Sequence, residues 1–407
     1  MGKTLETIDK NKLATIEYRL KWKSASASHT DCFYAQKVNL WRDIFSERVY
    51  NELLGKKSGD IIEFNSTTDN VIPPHVAKEE FEINESQVER NLVPLQFDGP
   101  HFGRFYPKRM LKGIPNIFTF DREAFRCVGV DNGSIGVDFN HPLSQHDVTL
   151  TLHVQDVRKK FSEFGGECLD WMETITDGPG MQARWRGKPT DFLSSGAFLR
   201  ENEGNDIFFY EEPRLLNHID ETAMTVIKKI YGKFLHNGMK VLDLMSGWKS
   251  HIPKNVRLNS LVGLGLNKKE MENNDQLTGY TIHNLNNYPY LPFNDKEFDA
   301  VICTVSVEYM TNPLEVFCDI ARILKPNGYF ILTFSNRWFP PKVVSIWKEL
   351  NEFERVGLIL EYCLQSAKYI KLETYSMRGL PRPENDKYYT KLVMSDPIYA
   401  VWGTAIS

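Results

Sequence analysis

Five runs in the second half of the chain, "KVLDLM", "SLVGLGLN", "YTIHNL", "FDAVICTVS" and "GYFILTFSN", are largely apolar and are separated by segments long enough for helices or long loops. A strand that is apolar on both alternating faces must be covered on both, and helices between consecutive strands give that cover when the strands run parallel. The stretch "DETAMTVIKKIYGKFLHNG" before the first run repeats apolar residues at Met224, Ile227, Ile230, Tyr231 and Phe234, with an Asp to cap its start and Asn237-Gly238 to end it. "NPLEVFCDIARILKPNG" has the same helical character before the fifth run. A further helix, "PPKVVSIWKELNEFERVGLILEYC", and two strands, "KYIKLETYSM" and "DPIYAVWGTAI", are expected in the tail. Residues 209–407 are therefore predicted to be an α/β domain of the Rossmann-like, doubly wound kind.

The first half has a different period. "TIEYRLKW", "GDIIEFN", "SIGVDFN" and "DVTLTLHVQDV" alternate or run β-branched, with Gly, Asn and Asp at their ends, so residues 13–158 read as an antiparallel β domain. Residues 159–208 are rich in turn formers, as in "DGPGMQARWRGKPTDFLSSG", and read as a connector draped over one or both neighbours.

Composition excludes several classes. With 49 basic and 53 acidic side chains the net charge is −4, and no long basic block marks a nucleic-acid surface. The longest apolar runs are far shorter than the roughly 20 residues that span a bilayer, and Glu6 stands where a myristoylation signal wants Ser or Thr, so no membrane partner and a cytoplasmic location are expected. The six cysteines are scattered without metal-ligand spacing and read as buried thiols; no metal site is expected.

Ligands of open α/β sheets bind at the carboxyl ends of the strands near the switch point by the first strand. The pieces "VLDLMSGW", "LPFNDKEFDAVICTVSVEYM" and "EVFCDIARILKPNGYFILTFSN" resemble class I S-adenosylmethionine-dependent methyltransferases, of the type 11-like kind. The resemblance implies a seven-stranded sheet whose last strand is antiparallel, and S-adenosylmethionine as cofactor. Within it, Asp243 matches the acid that interacts with the methionine end of the cofactor. Gly247 matches one glycine of the usual loop, while Met245 and Lys249 stand at two other glycine positions and Ser246 lies between. Gly265 replaces the ribose-binding acid after the second strand, leaving Asn267 as the nearest polar group. Asn284, followed by Leu285, falls where an acid or amide meets the adenine amino group, and Thr304 ends the fourth strand. "DLMSGWKSHIP" also resembles a branch of bacterial and plant methyltransferase-like proteins that carries a serine-containing loop in place of the glycine-rich one.

Methyl transfer needs an acceptor held in line with the methyl group, and a base only if the acceptor must lose a proton. The catalytic candidates are His251 at the start of a helix after the first loop, Tyr309 after the fourth strand, and Tyr210 before the cap helix. The plainer alternatives are a helix-end donor for His251 and packing for the tyrosines. "SVEYM", Ser306 to Met310, falls where this superfamily lines the acceptor pocket, and "FYEEPRLLNHID" falls where a segment covers the cofactor. Without a clear base, an easily deprotonated small acceptor such as a thiol or sulfide is expected.

In the first half, "ELLGKKSGDIIEF", "GPHFGRFYPKRMLKGIPNIF" and "VDFNHPLSQHDVTLTLHVQDV" resemble FKBP-type prolyl isomerases of the SlyD-like branch. That resemblance implies an isomerase-like pocket at Phe102, Leu143 and Leu150, and a proline-containing peptide as a further partner. Phe102 stands where Tyr usually donates to the substrate carbonyl, and Leu150 where a pocket Phe usually stands, so the activity is expected to be weak. "TFDREAFRCVGVDNGSI" is too short for the chaperone insert of that branch. Arg184 and Arg186, flanking Trp185, suit an anionic or aromatic acceptor or else a solvated loop face. Two readings follow: a methyltransferase with a fused isomerase-like domain, or a peptide-binding protein carrying a degenerate methyltransferase domain.

Overall fold

The computed structural model describes residues 6–69, 71–89, 99–118, 120–121, 123–161 and 165–406. The reading of residues 1–5 lies outside them, as do Thr119 and Arg122 of the short insert segment.

Among the described residues there are fifteen strands, β1 (Lys12–Lys23), β2 (Ser28–Val38), β3 (Ile61–Asn65), β4 (Glu80–Asn84), β5 (Phe105–Pro107), β6 (Ala124–Asp131), β7 (Ser134–Asp138), β8 (Thr149–Lys159), β9 (Lys240–Leu244), β10 (Ser260–Gly265), β11 (Gly279–Ile282), β12 (Phe298–Thr304), β13 (Leu324–Phe334), β14 (Tyr369–Arg378) and β15 (Ile398–Ala405). Seven of them lie in the order β11-β10-β9-β12-β13-β15-β14. β9 to β13 are parallel, and β15 runs antiparallel to both β13 and β14. The order reverses between β9 and β12, which places a switch point at the carboxyl ends of β9, β10 and β12.

Alternate residues of these strands serve two cores. Val241, Ala300, Ile302 and Ile331 face the helix Glu221–Phe234. Leu242, Leu244, Val301, Cys303, Phe330 and Leu332 face the helices Pro313–Ile323 and Glu352–Ser366 on the other side. This is why the runs are apolar at positions facing either side of the sheet. The tail segment expected as one helix is two, Ser345–Glu349 and Glu352–Ser366, because Asn351 and Glu354 form a capping box that starts a new helix.

The sheet does not stop at β14. Ser28–Val38 pairs parallel to it, from Glu373 opposite Ser28 to Arg378 opposite Phe33, and β1, β8 and β3 follow antiparallel to make eleven strands. Buried Asp31 accepts from Trp22 Nε1 (2.9 Å), Gln182 Nε2 (3.2 Å) and Ser376 Oγ (2.9 Å), joining the first half, the connector and β14. A second antiparallel sheet, β4-β7-β6-β5, docks through Phe105 N–H on Glu354 Oε1 (2.8 Å). The segment judged too short for an insert supplies β6, the turn and the start of β7 in its central hairpin, turning at Asn132-Gly133 with positive φ at both residues. Its partner strands come from outside that segment, so the segment read alone hides the sheet.

The connector packs on both halves: Trp171, Ile175 and Ala183 enter the first-half core, and Phe192 and Ala197 the second. Arg184 donates twice to Glu361 (2.9 and 2.7 Å), and Arg186 pairs with Glu80 (2.7 Å) while lying over Trp185. Both arginines are engaged in ion pairs that hold the connector against its neighbours. Two cysteines, Cys168 and Cys318, are exposed rather than buried.

Candidate functional site

The turn after β9 is held by side chains. Ser246 Oγ and Ser250 Oγ both donate to Asp243 Oδ2 at 2.6 Å. Asn274 Nδ2 donates to Ser250 Oγ (2.9 Å) and to the Gly247 carbonyl (3.1 Å), and Ser246 N–H donates to the Leu264 carbonyl (2.8 Å). Asp243 is only 2% exposed, and burial pushes its carboxyl up to about 6 against the two serine bonds. It does not line the cavity in front of the turn; it braces the loop from behind. Asp243→Asn should fold at pH 7 with little change in melting temperature, because an amide oxygen can still accept both hydroxyls. Asp243→Ala, which strands both serines, should lower stability by about 3 kcal/mol in denaturant unfolding.

The glycines of β10 are there for close approach. A Cβ on Gly265 would stand less than 3.0 Å from the Ser246 carbonyl oxygen, which no relaxed side chain tolerates. An acid at this position is therefore excluded by the serine-built loop, and Gly265 lines the cavity with backbone alone. Asn267 is also not free for a ligand. Its Nδ2 donates to the Tyr210 (2.7 Å) and Glu211 (3.0 Å) carbonyls, and its Oδ1 accepts from Glu270 N–H (3.0 Å) as a helix cap.

Eleven of the twelve cofactor and catalytic candidates lie around one cavity of about 190 Å³: Met245, Ser246, Gly247, Gly265, Asn267, Asn284, Leu285, Thr304, His251, Tyr309 and Tyr210, with Asp243 the exception. Asn284 Oδ1 accepts from Asn286 N–H (3.0 Å) and, more weakly, Asn287 N–H (3.4 Å), which fixes the amide so that Nδ2 is the outstanding group. That Nδ2 is buried in the cavity wall with no partner among the described residues. Thr304 Oγ1 is engaged with Tyr231 OH (2.6 Å).

His251 is not on a helix: residues 251–259 are loop, and His251 itself has a left-handed backbone (φ 58°). The expected helix is absent because the chain passes from the serine-braced turn directly to β10. Burial, Lys228 and Lys249 push the His251 imidazole down to about 4, so it is neutral at pH 7. Met245 (φ 55°) and Val305 (φ 48°) share that backbone region, so three strained non-glycine residues edge the cavity. Tyr309 OH accepts from Phe339 N–H (2.8 Å), and burial raises both the Tyr309 and Tyr210 phenols. In "SVEYM", Ser306 and Tyr309 line the cavity, whereas Val307, Glu308 and Met310 are buried behind it.

Sequence reasoning missed Arg200, Asp206, Arg214, His218 and Glu270, all of which line the cavity. Asp206 is saturated by Arg200 (2.8 and 3.0 Å), Lys342 (2.9 Å) and Asn286 Nδ2 (2.8 Å), which anchors the covering strap. Arg214 stacks between Phe209 (4.8 Å) and Phe339 (4.5 Å), and its buried Nη1 has no partner. A second cleft of about 550 Å³ adjoins the first and shares Leu216–Ile219, Val305, Tyr309 and Phe339 with it. His218 lies in the shared wall, edge-on to Phe339 (5.1 Å). Burial, Arg214 and Lys387 lower its pKa, which keeps it neutral. The arginine and histidine of "PRLLNHID" were legible as chemistry-bearing residues in the strap, but only the fold brings them over the β9 turn.

Residues 251–332 match the family profile of the methyltransferase domain. Those residues, within the carboxyl-terminal half, therefore carry the signature of a methyltransferase domain. S-adenosylmethionine is the cofactor of such a domain. Among curated relatives, the chain is 35% identical over 80 residues to the biotin biosynthesis bifunctional protein BioHC of Teredinibacter turnerae, covering 20% of this chain and 14% of that protein. It is 27% identical over 66 residues to the malonyl-[acyl-carrier protein] O-methyltransferase of a Marinomonas species, covering 16% of this chain and 24% of that one. The chain thus spans less than a quarter of the length of either relative. Solved structures similar to part of the chain include a methyltransferase in complex with the Trm112 activator from Haloferax volcanii, with 16% identity, 46% of this chain, 92% of that chain and a TM-score of 0.35. Another is an S-adenosylmethionine-dependent methyltransferase from Aquifex aeolicus, with 15% identity, 49% of this chain, 97% of that chain and a TM-score of 0.31.

Leu143 and Leu150 are fully buried in the core of the first-half sheet, and Phe102 packs edge-on against Trp185 (5.9 Å). No cluster of three or more metal-ligating side chains is found among the described residues, and no helix there is long and apolar enough to cross a membrane.

Proposed function

We propose that the chain is an S-adenosylmethionine-dependent methyltransferase that methylates a small acceptor entering through the second cleft. The observation that carries this reading is the unpartnered Asn284 Nδ2 buried in the wall of a cavity at the switch point of a β11-β10-β9-β12-β13-β15-β14 sheet. An amide held with its donor outward suits a ring nitrogen of adenine, and the unpartnered Arg214 Nη1 suits a carboxylate. Glycine at 265 lets the β9 loop pack directly on β10, with the Ser246 carbonyl in the space a side chain would need. The donor set therefore fits the cofactor. Asn284→Leu should weaken S-adenosylhomocysteine binding by about 10-fold in calorimetry, with an unchanged melting temperature in the absence of ligand.

The cofactor supplies an electrophilic methyl on a sulfonium, and the acceptor's lone pair takes it as the thioether leaves. The chain's own residues hold the acceptor in line, keep water away beneath the strap and take up a proton where the acceptor carries one. Neutral His218, facing both cavities, is placed for that last task; Tyr309 is committed to Phe339. For a phenol or alcohol acceptor, His218→Gln should lower kcat by about 100-fold while leaving S-adenosylhomocysteine affinity unchanged. A thiol or sulfide acceptor that is already ionised should be nearly insensitive.

The strained backbone at Met245, His251 and Val305 favours a working site over a retired one, since such conformations persist where the surrounding structure demands them. For the first half we favour a structural role, extending the methyltransferase sheet from β14; the burial of Leu143 and Leu150 supports at most weak prolyl isomerisation. Incubating the protein with methyl-tritiated S-adenosylmethionine and a panel of thiols, phenols, amines and carboxylates tests the reading. Transfer to some member is expected. Inert thiols beside reactive amines or phenols would remove the thiol assignment, and no binding of cofactor would remove the enzyme.

A further inference from the structure

Ribose offers two adjacent hydroxyl donors, and a carboxylate is the side chain best able to accept both. At the end of β10 that carboxylate cannot exist, because the Ser246 carbonyl occupies the space a Gly265 side chain would need. The Asn267 amide nitrogen is spent on the strap and its oxygen caps the next helix. Two carboxylates line the cavity, and Asp206 is saturated by two cations and an amide.

The other is Glu270, in the helix Lys268–Glu272 that follows β10. Its Oε1 accepts from the Arg214 backbone N–H at 2.7 Å, and its Oε2 makes no hydrogen bond among the described residues. Oε2 lies 3.2 Å from the point where a Cβ on Gly247 would stand, so it sits close against the bare backbone of the β9 loop, and both residues line the cavity. Burial holds this carboxyl above the usual glutamate range, with Arg214 opposing the shift.

We propose that Glu270 carries the ribose-reading carboxylate of this site, moved from the strand end to the following helix, and that the same side chain latches the covering strap at Arg214. The inference rests on the methyltransferase reading above. It follows from the loop's construction: a serine-braced turn pushes its carbonyl into the usual acid's place, and the acid arrives from one turn further along the chain. Ligand hydroxyls on Oε2 and the strap on Oε1 then share one carboxylate, so ribose binding and strap closure favour each other.

The test is calorimetric titration of S-adenosylhomocysteine and its 2′-deoxyribose analogue into the full chain and into Glu270→Gln. The glutamine keeps an acceptor for the Arg214 N–H, and its melting temperature serves as the check on folding. The native chain should prefer the ribose form by about 10-fold or more, and Glu270→Gln should lose most of that preference. In Glu270→Ala, limited proteolysis within residues 205–218 should become faster and ligand should protect less. A variant that keeps the full ribose preference would overturn the assignment while leaving the methyltransferase reading intact. A native chain that binds neither ligand would overturn both.

Discussion

Gly265→Asp, which restores the acid usual at the end of the second strand, should abolish S-adenosylhomocysteine binding rather than improve it. The added Cβ would lie under 3.0 Å from the Ser246 carbonyl and 3.3 Å from Met271 Sδ. Ser246 cannot retreat cheaply, because its hydroxyl is bound to Asp243 and its N–H to Leu264. Overpacking of this kind typically costs about 1–3 kcal/mol, and a desolvated carboxylate adds to it, so a loss of about 3 kcal/mol in denaturant unfolding is expected. Gly265→Ala should carry most of the steric part. If the aspartate variant bound cofactor more tightly than the native chain, the account of the loop would be wrong.

Glu308→Gln should stabilise the protein at neutral and alkaline pH. Glu308 is 1% exposed, neither carboxyl oxygen has a hydrogen-bond partner, and burial raises its pKa to about 8 despite Arg355. Above a pH of roughly 4.5 the unfolded chain releases this proton while the folded chain keeps it, so the group's contribution falls as pH rises and levels off beyond about 8. At 1.36 kcal/mol per pH unit, the native protein gives up on the order of 3 kcal/mol by pH 7 that the glutamine variant retains. Urea unfolding of both proteins between pH 5 and 9 measures it; parallel stability curves would show that Glu308 is ionised and solvated in the folded state.

The apolar runs of the second half carried the fold, because strands covered on both faces leave no choice but α/β. The residues that the ends of β9, β10 and β12 bring to the cavity were also legible, whereas Arg200, Asp206, Arg214, His218 and Glu270 were not. What each does there was not legible either. Asp243 carries no mark that two serines three and seven residues on will take its carboxylate, and Gly265 hides a steric exclusion that exists only once β9 and β10 pair. His251 was expected on a helix because the usual fold has one there. The joining of β2 to β14 was beyond reach for a different reason: edge pairing between segments about 345 residues apart leaves no local pattern in either.

The claim on which everything above depends is that the cavity behind the strap holds S-adenosylmethionine. Calorimetric titration of S-adenosylhomocysteine into the full native chain tests it most directly. The account predicts saturable binding at one site per chain, weakened by Asn284→Leu; no heat and no thermal shift at millimolar ligand would contradict it.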